Sequence, residues 1–124
     1  MSSKPWSGSS RKQRVNDVLK SIDAINSYLS GITEAAFVAD RKTVSAVERE
    51  ILIISEAMSK LVELEAQLPE EQQFQTRFPE IPVHQIRGMG NVLRHEYGRA
   101  NPIVAWETAT GGSLANLKAA LEEY

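Results

Sequence analysis

One feature limits this chain more than any other. Val44, Val47, Ile51, Ile54, Met58, Leu61 and Leu68 recur at three-, four- and seven-residue intervals, and Pro69 stops the run. Residues so spaced share one side of an α-helix. A repeat close to a heptad suits packing against other helices at a shallow angle, as in a bundle. Nowhere does the sequence alternate with the period of two that a half-buried strand requires. The expected fold is therefore all-α: an up-down helical bundle of four main helices plus short extra helices.

The remaining elements are read around that helix. Val15, Val18, Leu19, Ile22, Ile25 and Leu29 form a second helical stripe from about Arg11, with Ser9 or Ser10 as a cap and Gly31 as a stop. Thr33 can cap a short turn reaching Ala39 that points Phe37 inward. The long helix starts near Asp40 to Thr43. The segment from Pro69 to Pro82 carries three prolines and reads as a polar connection with room for one short turn. Pro82 is suited to open the next helix, over about Pro82 to Tyr97. Ile103, Val104 and Trp106 begin another after Asn101-Pro102, with Trp106 as a packing anchor. Gly111-Gly112 interrupts it, and Ser113 can cap a last helix bearing Leu114, Leu117 and Leu121. Residues 1–10 are Ser/Gly-rich and read as a flexible tail, leaving residues 11–124 as one domain, in keeping with a length of 124 residues.

Composition excludes several classes of function. The chain has no cysteine, which removes a disulfide framework, a thiolate nucleophile and a cysteine zinc site. No run approaches the roughly 18 apolar residues of a membrane span, and the N-terminus lacks the apolar core of a signal peptide, so a cytoplasmic protein with no membrane partner is expected. The formal net charge of −2 does not announce a polyanion-binding surface, so any such surface must be a local patch.

The chemistry-bearing stretch is His84 to Tyr97, HQIRGMGNVLRHEY. At ~100° per residue, Ile86, Met89, Leu93 and Tyr97 share one side. His84, Arg87, Asn91, Arg94 and His95 gather on the opposite side, with Gly88 among them. Two glycines inside one helix, Gly88 and Gly90, imply a close approach by either a neighbouring helix or a ligand backbone. Arginine presents a planar fork of donors to phosphate, and histidine exchanges a proton near neutral pH. Glu96 adjoins His95 but points ~100° away, so no metal site is read here. His84 lies ~16 Å along the helix from His95 and is read as a rim residue. Glu48, Arg49, Glu50 and Glu56 read as a solvated or interface charge pattern on the long helix.

The segment IRGMGNVLRHEY followed by PIVAW resembles the signature region of HepT-like proteins of the HEPN superfamily. The likeness extends over nearly the whole body. Arg14-Val15-Asn16-Asp17-Val18-Leu19 is similar to the family's first helix, and Phe37 with Asp40 to its F-x-x-D turn. AVEREILIISEAM, Ala46 to Met58, is similar to its long helix, and Pro79-Glu80-Ile81-Pro82 to the entry of its signature helix. The resemblance implies a HEPN-like homodimer whose signature helices meet near the twofold axis and share a composite site. It implies a toxin of a toxin–antitoxin pair, a metal-independent endoribonuclease with no cofactor, acting on RNA such as tRNA or mRNA. It also implies neutralisation by a cognate MNT-type nucleotidyltransferase antitoxin.

The family pattern R-x(4–6)-H-x-Y is met at His95-Glu96-Tyr97. Its arginine position falls on Gly90, while the neighbouring Asn91 is retained. Arg94 and Arg87, four residues after and three before position 90, lie beside it on a helix surface, although seven residues intervene between Arg87 and His95, which is outside the pattern. The expected site is therefore His95 for proton transfer, Arg94 and Arg87 for the phosphate, Asn91 for substrate binding, and Tyr97 as the point of modification by the nucleotidyltransferase. Tyr97 also has a plain reading as a packing residue. The alternative function is a catalytically inactive HEPN dimerisation module that partners a nucleotidyltransferase, its nuclease activity lost with the arginine at position 90. An acidic pI of about 5.7 favours that alternative. A plain helical bundle with surface histidines is the third reading.

Overall fold

The computed structural model describes residues 7–95 and 101–124, without the side chains of residues 7–9, 94 and 95. Seven α-helices follow in order: α1 (Ser7–Leu29), α2 (Glu34–Ala39), α3 (Arg41–Glu65), α4 (Phe74–Arg77), α5 (Val83–His95), α6 (Pro102–Thr110) and α7 (Ser113–Glu123). A 3-10 turn (Glu70–Gln72) precedes α4. The described residues contain no strand. The all-α expectation is met.

Helix α3 is the spine. Its Val44, Val47, Ile51, Ile54, Met58 and Leu61 are buried, as the stripe requires, and meet Val15, Val18, Ile22 and Ile25 of α1. The two helices run antiparallel: Tyr28 bonds Glu50 at one end, while Arg14 and Lys60 share a cavity at the other. Helix α7 is antiparallel to α1, with Lys118 bound to Asp23 at 3.1 Å and Tyr124 bound by Arg11 at 3.4 Å. Helix α5 lies antiparallel on the far flank of α3, which completes the up-down arrangement. Helices α2 and α6 close one end, where Phe37 packs against Trp106 in a tilted arrangement at 5.4 Å between ring centres. Trp106 thus has the anchoring role read for it.

Local signals explain most boundaries. The Thr33 hydroxyl caps α2 by accepting from the Ala36 amide at 3.2 Å, and the Asp40 carboxylate caps α3 by accepting from the Thr43 amide at 3.3 Å. Asn101 caps α6, with Pro102 at the first helical position. Gly31 turns with φ 73°, a conformation that suits its lack of a Cβ.

Four expectations need correction. Helix α1 begins at Ser7, so Ser9 and Ser10 lie within it rather than capping it; residues 1–6 lie outside the described residues. Ser113 does not cap α7, because Gly112, at φ 96°, occupies that position and Ser113 is already helical. Helix α3 ends at Glu65 rather than Leu68. The cause is Glu65 itself: its buried carboxylate accepts the Phe74 amide at 3.0 and 3.1 Å and the Tyr124 hydroxyl, which pulls the following chain across the helix end. The Tyr124 hydroxyl titrates above its usual range, through burial and then through its bond to Glu65. Finally, the connection from Pro69 to Pro82 holds two short helical turns and inserts Phe74, Phe78 and Ile81 into the core. Three apolar residues among prolines and glutamates show no period, which hid them.

Candidate functional site

Helix α5 buries a narrow line, Val83, Ile86 and Gly90, against α3. Met89 and Leu93, expected on the apolar side, are only half-buried, and Val92 is 55% exposed. The buried line is thus rotated by roughly 40–50° from the one anticipated at 100° per residue. The opposite ridge faces outward: His84 and Asn91 are exposed and Arg87 is half-buried.

The two glycines have different causes. A Cβ at Gly90 would stand 2.9 Å from the Ser55 Oγ and 3.2 Å from the Ser55 Cβ. The close neighbour is therefore helix α3. Ser55 is 2% exposed, and its hydroxyl both donates to the Arg87 carbonyl at 2.7 Å and accepts from the Gly90 amide at 3.1 Å. It is inserted into the backbone of α5 and sets the level at which α5 sits. A Cβ at Gly88 would meet nothing within 4 Å. Position 90, where the family resemblance puts an arginine, thus starts against a serine, and Ser55 occupies the space that the first side-chain atom would need.

The ridge divides two hollows. On one flank, a cavity of about 420 Å³ is lined by Arg14 and Asp17 of α1, Ser55, Glu56, Ser59 and Lys60 of α3, and Arg87 and Asn91 of α5. The Arg87 Nε donates to the Ser59 Oγ at 3.4 Å. On the other flank, an apolar groove of about 400 Å³ is lined by Ile51, His84, Gly88, Met89, Val92 and Val104, among others. The structure therefore brings Arg87 and Asn91 together at one mouth and places His84 across the ridge from them, at a rim. Of the other expected site residues, His95 is the last residue of α5 and Arg94 precedes it in the helix. The side chains of Arg94 and His95, and all of Tyr97, lie outside the described residues.

Two participants were not picked out from sequence, and a third, Glu48, was read differently. Ser55 and Ser59 are single hydroxyls within an apolar helix, four residues apart and hence on one face. That spacing is the signal that could have found them. Glu48 continues the same face toward the N-terminus of α3, seven residues from Ser55, or about 10 Å at 1.5 Å per residue. Its Oε2 is buried with no hydrogen-bond partner among the described residues, and burial raises its carboxyl above the usual range. Because α5 is antiparallel, this places Glu48 level with the C-terminal end of α5. Its part-burial corrects the solvated alternative read for it. Among the described residues no group of three or more His, Asp or Glu side chains could hold a metal ion.

The fold and site define a class: an all-helical bundle that displays an arginine- and asparagine-bearing ridge beside a cavity lined by three cations. The chain belongs to the Ribonuclease HepT-like family, whose model matches residues 18–124. It is 30% identical over 99 residues to a Thermococcus cleftensis protein named "Probable ribonuclease HepT", covering 80% of this chain and 82% of that one. It is 27% identical over 93 residues to the "Putative RNase MJ1216" of Methanocaldococcus jannaschii, covering 75% of this chain and 69% of that one. No solved structure matches the chain.

Proposed function

We propose that this protein is a HepT-like toxin: a metal-independent endoribonuclease that acts as a homodimer, formed by a single domain over residues 11–124, and is neutralised by a cognate MNT-type nucleotidyltransferase. The observation that carries the reading is the outward-facing ridge of α5, with Arg87 and Asn91 at the mouth of a cationic cavity, in a chain of this family. His95 takes the proton of a ribose 2′-hydroxyl. The freed 2′-oxygen forms a bond to the adjacent phosphorus while the bond from phosphorus to the 5′-oxygen breaks, and the protonated imidazole of His95 gives its proton to that leaving oxygen. The products are a 2′,3′-cyclic phosphate and a 5′-hydroxyl. Arg94 and Arg87 stabilise charge on the phosphoryl oxygens, and Asn91 holds the strand. The need for a 2′-hydroxyl confines this chemistry to RNA, of which tRNA and mRNA are candidate substrates.

The dimer reading is supported by the apolar groove. Val92, Ile103 and Val104 are exposed on α5 and α6, and Gly88 leaves the α5 backbone open there. Contiguous exposed apolar surface of this kind suits a protein partner, and a second copy seated on it would bring two α5 ridges together. Tyr97, two residues beyond His95, is the control point: a nucleotide attached there would add negative charge and bulk next to the imidazole.

The test is cleavage of single-stranded RNA in the presence of a chelator. The wild type is expected to leave 2′,3′-cyclic ends, and His95→Ala to lose about 10²- to 10⁴-fold in rate. Equal cleavage by His95→Ala overturns the assignment. The mass of the Tyr97 peptide after co-expression with the nucleotidyltransferase tests the control point.

The second reading, a non-catalytic dimerisation module, is favoured by Gly90. Its test needs room for the new side chain, so Gly90→Arg is combined with Ser55→Ala. Cleavage that appears only in the double variant supports the module.

A further inference from the structure

The cavity between α1, α3 and α5 carries residues that the proposed chemistry does not use. Arg14 comes from α1 and Lys60 from α3, and they converge on Arg87 of α5 from sequence positions far apart. The Arg14 Nε is buried with no hydrogen-bond partner among the described residues. Its terminal nitrogen pairs with Asp17 at 3.2 Å, with both side chains 36% exposed. Lys60 reaches Glu63 only at 3.9 Å, with both side chains largely in solvent. Exposed pairs of this kind contribute little, so both cations can be redirected to a better partner. Arg87 touches Ser59 and no carboxylate among the described residues. Asp17 and Glu56 line the same cavity. Among the described lining residues, three cations and two carboxylates leave one net positive charge, which suits the single negative charge of a phosphodiester better than a triphosphate.

We propose that this cavity is a second phosphate subsite, in which Arg14 and Lys60 hold a backbone phosphodiester of single-stranded RNA adjacent to the one that Arg87 contacts during cleavage. The inference rests on the ribonuclease reading and extends it. Arg87 and Asn91 belong both to the α5 ridge and to the cavity mouth, so a strand lying along the ridge passes directly into the subsite. Ser59 supplies a hydroxyl donor beside the guanidinium of Arg87. Asp17 stands at the opposite wall as an acceptor for a ribose hydroxyl or a base amine.

The experiment measures binding apart from cleavage. A fluorescein-labelled, fully 2′-O-methylated single-stranded oligonucleotide cannot be cut, and its affinity is followed by anisotropy across a salt series. Arg14→Gln/Lys60→Gln is expected to bind about ten- to thirtyfold more weakly. The slope of log affinity against log salt should become shallower by about 1.4, or 0.7 for each lost contact. Lys20→Gln/Lys118→Gln removes the same charge outside the cavity and should leave the slope as it is. Asp17→Asn should tighten binding, a gain that misfolding cannot imitate. If the wild type binds and cleaves RNA while the Arg14/Lys60 variant keeps its affinity and slope, the subsite is overturned and the ribonuclease reading stands. An equal loss in the Lys20/Lys118 control also overturns the subsite. If the wild type neither binds nor cuts RNA, the ribonuclease reading falls and the subsite falls with it.

Discussion

Helix α3 has two working flanks, and they are built on opposite principles. Toward α1 it presents Val47, Ile54 and Met58, which fill an apolar core with Val18, Ile22 and Ile25. Toward α5 it presents Leu52, Ser55 and Ser59, and the contact is made by a hydroxyl against a glycine. The first flank derives its strength from apolar area removed from water. The second buries a narrower apolar line, Val83 and Ile86, and gains a defined position, because a hydroxyl that must both donate and accept tolerates one arrangement. The helix that carries the candidate chemistry is thus placed rather than glued.

Breaking the apolar flank should have the largest effect. Ile54→Ala removes a fully buried side chain from the centre of the core and is expected to cost about 2–5 kcal/mol in chemical denaturation. An effect on activity but not on stability would contradict the comparison.

The polar flank should respond less and in a coupled way. Gly90→Ala forces its Cβ against Ser55 and should cost about 1–3 kcal/mol. Ser55→Ala alone should cost about 1 kcal/mol for the lost hydrogen bonds. The double variant should cost less than the sum by at least about 0.5 kcal/mol, since removal of the Oγ opens the space that the new methyl needs. Strict additivity would show that the two residues do not share a site.

Gly88→Ala sharpens the contrast between the glycines. Nothing stands within 4 Å of the new Cβ, so the subunit should gain about 0.8–1.0 kcal/mol. A second copy packed over the open backbone would associate less tightly with this variant, which sedimentation can read.

The smallest effect belongs to Glu48, whose carboxyl is raised by burial. The folded chain holds that proton more tightly than the unfolded one. Its contribution to stability is therefore fully present below the ordinary value of 4.5 and is lost as pH rises through the higher folded value. Glu48→Gln should raise Tm above that window, by no more than about 2 °C given its part-exposure, and make no difference below it.

The bundle was legible because its cause is periodic. The stripes at Val44 to Leu61 and Val15 to Ile25 state which faces are buried, and the caps at Thr33, Asp40 and Asn101 state where helices begin. For the candidate site, the sequence names residues on α5 but not their arrangement. A helical wheel of α5 places Arg87 and Asn91 outward, but it contains no information about what faces Gly90. The answer, Ser55, lies 35 residues earlier in the chain. Arg14 and Lys60 escaped notice for the same reason, because each is an ordinary surface cation until three helices converge. Phe74 and Phe78 were missed because two aromatic residues in a connection make no pattern.

The hydroxyl of Ser55 also limits how this molecule can move. A ratchet of α5 along α3 by one turn would take both of its hydrogen bonds away at once and strand a buried polar oxygen. Sliding is therefore closed to this helix as a means of answering a partner. What stays open is unwinding from the C-terminal end of α5, beyond Gly90, by loss of helical turns and not by translation.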